Sequence, residues 1–176
     1  MRGVDLKDLE IISLLRRNSR LSITRIARKV SLPISTVYDR MRRLQRNGVI
    51  KKYTCLVDYK SFNYPVTSHV LMRINGKSRE RAESFLANSI FTNNFQKVNG
   101  DEFNYFGTFV FPSMEELQEF LERVAEKFNI YNYKIFYVLR GIREEGFLED
   151  LTFLRVSRPE SKREKKEETE AATIPA

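Results

Sequence analysis

The chain has 176 residues, with 31 Lys/Arg against 23 Asp/Glu for a net charge of +8, and a hydrophobic fraction of 41%. That length holds one or two small domains with cores of their own, while no apolar run is long enough to span a membrane and the N-terminus lacks a signal-peptide core. The single cysteine, Cys55, excludes an internal disulfide framework and, with the only histidine, His69, falls short of a structural metal site, so no cofactor and a cytoplasmic setting are expected.

In chain order, Asp5 is placed to cap a helix running to about Arg17, with Leu6, Leu9, Ile12 and Leu15 on one stripe and Ile11 and Leu14 widening it. Asn18-Ser19-Arg20 breaks the pattern. A second helix starts at Ser22, whose hydroxyl can satisfy a first-turn amide, and carries Ile23, Ile26, Ala27 and Val30 at helical spacing. After the connection Ser31-Leu32-Pro33-Ile34-Ser35, a third helix seats Val37, Met41 and Leu44 on one stripe. Its opposite face presents Ser35, Tyr38, Asp39, Arg42 and Arg46, flanked by Arg40 and Arg43. Gly48 suits the left-handed cap that ends it. These three helices form one compact unit, residues 1–50, in a helix-turn-helix arrangement.

Val49 to Asp58 is β-branched and aromatic and reads as a strand or small wing, with Tyr59–Pro65 as the hinge; residues 51–65 are taken together as strand and linker. Residues 66–148 then alternate element types. A strand over Thr67–Ile74 leads through Asn75-Gly76 to a helix capped by Ser78 with Ala82, Phe85 and Leu86 inward. Strands Phe95–Asn99 and Tyr105–Phe111 flank the turn Asn99-Gly100-Asp101. Ser113 caps a further helix burying Leu117, Phe120, Leu121, Val124 and Phe128, and Ile130–Ile142 forms the last strand. The order β-α-β-β-α-β is the ferredoxin-like split arrangement, giving an α+β chain: an N-terminal (winged) helix-turn-helix domain and a C-terminal ferredoxin-like βαββαβ domain. Such a sheet carries helices on one face only. Phe109, Phe111, Ile135 and Tyr137 make its strands apolar on more than one side, which points to a sheet-to-sheet homodimer. From Val156 the chain loses its large apolar residues, and 157–176 reads as a flexible charged tail.

The charge is unevenly placed. Residues 1–60 hold fifteen Lys/Arg against five Asp/Glu, net +10; residues 61–156 hold eleven against thirteen, net −2; residues 157–176 hold five of each. All the excess positive charge sits on the helix-turn-helix segment, the footprint of a polyanion-binding module joined to a domain with another task. A short helix that is apolar on one stripe and arginine-rich elsewhere fits the major groove of double-stranded DNA. A solvated charged face is the competing reading of that helix taken alone.

The sequence carries a family likeness in Leu6..Asp8..Ile11-Ile12..Leu15, Ser19-Arg20, Ile26-Ala27, Val30..Leu32, Ser35-Thr36-Val37, Arg40-Met41..Leu44 and Gly48-Val49-Ile50. On these residues 4–58 resemble the DNA-binding module of the leucine-responsive/asparagine regulator (Lrp/AsnC) family of bacterial and archaeal transcription factors, and the order of elements in 66–145 resembles that family's effector-binding and assembly domain. Two departures stand out. Ser31 and Pro33 occupy the turn where the family has glycine then a capping serine. The family's Gly-x-Tyr-Asp hairpin is represented by Gly100-Asp101-Glu102-Phe103-Asn104, one residue longer and with Asn104 in place of aspartate.

The resemblance implies a regulator that binds a roughly palindromic operator as a dimer, or as a larger ring up to an octamer, with two third helices in successive major grooves. Ser35, Thr36, Tyr38, Asp39, Arg42 and Arg43 are assigned to base edges; Ser22, Arg40, Arg46, Lys51 and Lys52 to phosphates. Asp39 either accepts from a cytosine amine or orients a neighbouring arginine, and Arg40 has a structural alternative, tying its helix to its own domain. Gly100, Asp101 and Asn104 mark the place of a small-molecule effector such as an amino acid. Two other classes fit the architecture: an assembly partner that senses a ligand and co-oligomerises with a true regulator, and a haem-biosynthesis decarboxylase using His69 with Arg73 or Arg140. The charge concentrated on the third helix and the single histidine weigh against the enzyme.

Overall fold

A computed structural model describes residues 3–150, which divide into two compact units, one of residues 3–55 and 143–150 and the other of residues 56–142. The expected tail, 157–176, lies outside the described residues. The first unit contains helices α1 (Leu6–Arg17), α2 (Ile23–Val30) and α3 (Ile34–Arg46). Asp5 caps α1 in a reciprocal capping box: its carboxylate accepts from the Asp8 amide at 2.8 Å while the Asp8 side chain accepts from the Asp5 amide at 3.1 Å. The core joins Ile11, Leu15, Ile26, Ala27, Val30 and Val37, with Leu21, Ile23, Leu32, Met41 and Ile50 packed around it. Leu6, expected inside, is half exposed, because the buried face of α1 turns through Asp8, Ile11, Ile12 and Leu15.

The turn between α2 and α3 carries its own strain. Ser31 closes α2 in the left-handed conformation (φ 55°, ψ 50°), which a Cβ disfavours, and Pro33 is the N-cap of α3 rather than a first-turn residue, contributing no side-chain cap. We expect Ser31→Gly to raise stability by about 0.5–1 kcal/mol, read as a higher unfolding midpoint. After α3, Gly48 (φ +68°) turns the chain so that the Val49 and Ile50 amides return to the Leu44 carbonyl. The strand expected over 49–58 is absent: these residues run with no strand or bridge among them, because a lone extended segment has no ladder partner among the described residues. The Ser19 hydroxyl donates to the Thr54 carbonyl at 3.2 Å.

Residues 143–150 belong with this first unit and not with the second, as 66–148 had implied. They are pinned to α1 through backbone carbonyls: Ser13 Oγ donates to that of Glu149 at 2.9 Å and Arg16 Nε to that of Phe147 at 3.0 Å, while Arg16 Nη1 pairs with the Glu145 carboxylate at 2.8 Å.

The second unit opens with a one-turn 3-10 helix, Tyr59–Phe62, capped by Asp58. It continues as β1 (Val66–Met72), α4 (Arg79–Ala87), β2 (Thr92–Lys97), β3 (Tyr105–Phe111), α5 (Met114–Phe128) and β4 (Tyr133–Tyr137). The four strands form an antiparallel sheet in the order β2-β3-β1-β4, the ferredoxin-like arrangement. Ser113 caps α5 through the Glu116 amide as expected, whereas the Ser78 hydroxyl does not cap α4. It donates instead to the Phe128 carbonyl at the end of α5, at 3.1 Å. The last strand is shorter than Ile130–Ile142, because only Tyr133–Tyr137 lie opposite β1.

Register decides which side chains meet the helices. Ser68 lies opposite Phe109 and Tyr137, Val70 opposite Gly107 and Ile135, and Val66 opposite Phe111, and directly paired residues share a face. Phe109, Phe111, Ile135 and Tyr137 therefore share the face on which the helices pack, Phe109 and Phe111 fully buried there and Tyr137, on the edge strand, still 48% exposed, and the apolar surface of the opposite face is made by other residues. Leu71 pairs with Phe106, Thr67 with Val110 and His69 with Phe136, and these form the opposite, open face, where Phe136 is 52% exposed. Phe85 is likewise partly exposed rather than inward, with Lys127 4.5 Å over its ring.

Inside the helix-covered core, Tyr105 donates its hydroxyl to the Glu83 carboxylate and stacks on Phe95 at 5.4 Å. Burial first, then the bond to Glu83, pushes its pKa up to about 12. The unfolded chain releases that proton near its ordinary value of 10 and the folded chain holds it until about 12, so stability falls as pH rises through this window. Unfolding midpoints measured from pH 9 to 12 are expected to decline for the native chain, and Tyr105→Phe to remove part of that decline.

Candidate nucleic-acid interface

Helix α3 is built to expose one ridge. Val37 (0% exposed) and Leu44 (2%) fix its inner stripe, with Met41 half-buried beside them. At 100° per residue, this puts Ser35, Asp39, Arg42 and Arg46 on the outward side, all of them exposed. Tyr38 lies on one flank, and the Arg42 guanidinium sits over its ring at 5.7 Å, an arrangement that extends the cation along the helix surface. Thr36, Arg40 and Arg43 lie on the other flank, half-buried.

That second flank meets the start of α1. Asp8 is fully buried (0% exposed), and a carboxylate so placed needs charged partners. Arg40 Nη1 donates to Asp8 Oδ1 at 2.9 Å and to Asp5 Oδ2 at 2.6 Å, and Arg43 Nη2 donates to Asp8 Oδ2. Two arginines of α3 are thus matched by Asp5, the cap of α1, and Asp8 in its first turn. The Arg40 bond holds the Asp5 carboxyl below its ordinary range against the opposing effect of burial, with the Asp8 amide adding to the lowering, and Asp5 and Asp8 in turn raise the Arg40 guanidinium. For Arg40, this geometry favours the role of tying the helix to its own domain. The residue that sequence reasoning missed is Asp8. Its three-residue spacing from Asp5 announces a capping box, but nothing in the pattern announces complete burial.

The other assigned residues lie on neighbouring segments. Ser22, exposed, caps α2 by accepting from the Arg25 amide at 3.3 Å, and Lys51 and Lys52 are exposed on the extended stretch after α3. Thr36, Asp39, Arg40, Arg43 and Arg46 line a shallow concavity along the α3 flank.

In the second unit, the loop proposed for an effector is partly spent on structure. Asn104 is bonded on every side: its amide donates to the Met72 carbonyl at 3.0 Å, its side chain donates to the Ile74 carbonyl at 2.9 Å, and its Oδ1 accepts from the Ile74 amide at 2.8 Å. The Asp101 carbonyl accepts from Arg73 at 2.6 Å, and a Cβ at Gly100 would come within 2.9 Å of the Phe103 carbonyl. His69 lies on the open sheet face, its Nδ1 3.0 Å from the Thr108 hydroxyl and its ring stacked on Phe106 at 5.3 Å. Arg73 is thereby committed to the loop backbone. Among the described residues there is no cluster of His, Cys, Asp and Glu that could hold a metal ion, and no helix is long and apolar enough to cross a membrane.

Comparison with known proteins places this geometry. The winged helix-turn-helix DNA-binding family matches residues 4–51. The chain is 37% identical over 83 residues to the HTH-type transcriptional regulator LrpC of Bacillus subtilis, covering 47% of this chain and 58% of LrpC. It is 27% identical over 146 residues to an HTH-type transcriptional regulator of Pyrococcus furiosus, covering 83% of this chain and 98% of that protein. The solved structure of B. subtilis LrpC superposes with a TM-score of 0.72 at 26% identity, over 81% of this chain and 99% of LrpC. A transcriptional regulator from Neisseria meningitidis, solved as a complex with L-methionine, shares the fold with a TM-score of 0.71 at 19% identity, over 81% of this chain and 94% of that one.

Proposed function

We propose that the chain is a DNA-binding transcriptional regulator of the Lrp/AsnC family and that it reads a roughly palindromic operator as a dimer, in the cytoplasm. The observation that carries the reading is the outward ridge of α3, where Ser35, Asp39 and Arg42 are exposed together and Arg42 is held over Tyr38. Ser35, Thr36, Tyr38, Asp39 and Arg42 read base edges, and Ser22, Arg46, Lys51 and Lys52 hold phosphates and set the register. Asp39 accepts from a cytosine amine or steadies Arg42.

The dimer forms through the open sheet face, where Leu71, Phe106 and Phe136 make an apolar surface that a second copy would cover. Larger rings, up to an octamer, are assembled from such dimers. A small-molecule effector, in the class of the amino acid named for the Neisseria relative, is placed at the loop of Gly100 and Asp101; with the Asn104 side chain spent on Ile74, that loop recognises it differently from an aspartate-bearing one.

Selection of random duplex DNA by the purified protein tests this reading. The expected product is an inverted repeat with half-site centres about 10 base pairs apart, one helical turn. Enrichment of no motif at all would overturn it.

A further inference from the structure

Resting on that reading, we propose that Asp8 is a positioning residue for DNA recognition: it withdraws Arg40 and Arg43 from the DNA and leaves sequence reading to the opposite side of α3. Charge matching is the first ground. Of the four arginines on α3, Arg40 and Arg43 are engaged by a carboxylate that is fully buried, whereas Arg42 and Arg46 are exposed. A buried carboxylate stripped of its cations is costly, so an approaching phosphate competes poorly for them.

Geometry is the second ground. Asp8 is itself fixed, since its side chain accepts from the Asp5 amide in the capping box and its backbone amide donates back to Asp5. Two guanidiniums spaced three residues apart on α3 therefore converge on one immobile point of α1. This sets the rotation of α3 about its own axis, and with it which residues form the ridge. A flexible arginine reads phosphates of any sequence; holding two of them on the protein lowers sequence-independent affinity and so raises discrimination.

The shape of the surface is the third ground. The flank is concave, lined by Thr36, Asp39, Arg40, Arg43 and Arg46. Released from Asp8, Arg43 would join Arg46 there as a second cation facing the phosphate backbone.

The test compares native protein, Asp8→Asn, and the double variant Asp8→Asn/Arg43→Gln, each titrated with random-sequence duplex and with the selected operator over a range of salt. The expected result for Asp8→Asn is a gain of roughly fivefold in affinity for random duplex, a salt dependence steeper by about one ion per protomer, and a reduced operator-to-random ratio. The double variant should return the salt dependence to the native value. Equal losses on both duplexes, with no recovery in the double variant, would make Asp8 a residue of folding only and overturn the proposal.

Arg43→Gln, which leaves Asp8 charged and paired with Arg40, covers the case in which Asp8→Asn fails to fold. With Arg43 already withheld from the phosphates, its loss should leave the random-duplex salt dependence at the native value; a slope shallower by about one ion per protomer would place Arg43 on phosphates in the native protein and overturn the proposal. The random-duplex slopes report on Asp8 whether or not the native protein prefers an operator, so failure of the operator reading and failure of this inference are distinguishable.

Discussion

Replacing Arg42 by alanine is expected to erase operator recognition while leaving the fold intact. The side chain is exposed on the outer ridge of α3 and its only described partner is the ring of Tyr38, so its loss removes no core contact. A bidentate arginine at a base edge is worth roughly 1–3 kcal/mol of discrimination, and the dimer makes that contact twice, so the operator-to-random ratio should fall on the order of a hundredfold. Binding to random duplex should fall only slightly, with the salt slope shallower by about one ion at most per protomer. Competition titrations of both duplexes measure this. Equal weakening on the two would reassign Arg42 to the phosphates. Arg43→Ala gives the contrast: its guanidinium is bonded to Asp8, so its removal is expected to lower stability more than it changes the preferred sequence.

The second large effect is expected at Phe136. This ring stands on the open face of the sheet, opposite His69 in the β1–β4 ladder, and is half exposed in the single chain. Covering its exposed half in a sheet-to-sheet dimer contributes about 0.8–1.5 kcal/mol per ring, and two-fold symmetry doubles the contribution. Phe136→Asp replaces that gain with two carboxylates facing an apolar surface without partners, which costs several kcal/mol more. Sedimentation should then show monomers at concentrations where a dimer is expected of the native protein, with helix content unchanged. Operator affinity should drop steeply because the two half-sites lose their linkage. An undiminished dimer would move the interface elsewhere on the molecule.

Much of this was legible in the residues. The three-helix unit follows from apolar spacing with Asp5 and Ser22 as caps, and the sheet unit from the alternation of short apolar runs with helices capped as at Ser113. What the sequence hid has physical causes. Strand periodicity says that alternate residues share a face but not which face is covered; pairing register decides that, and it turned Phe109, Phe111, Ile135 and Tyr137 toward the helices. The stretch 49–58 has strand-forming residues, but strands exist only in ladders and this one has no partner among the described residues. Burial of a charged residue is likewise a tertiary property. Asp8 reads as a capping residue, and only the approach of Arg40 and Arg43 across thirty-odd positions makes it the anchor of α3. Asn104 gives a similar lesson, since its amide is consumed by Ile74, which no local pattern announces.

The central claim is that this chain recognises a DNA sequence through the outer ridge of α3. The most direct test is to titrate the native protein with its selected duplex and with a scrambled duplex of equal length and composition, at salt near 0.15 M. The account predicts a preference of at least about a thousandfold for the selected duplex, in the range of specific regulators. Equal affinity for both duplexes, each falling alike with salt, would contradict it.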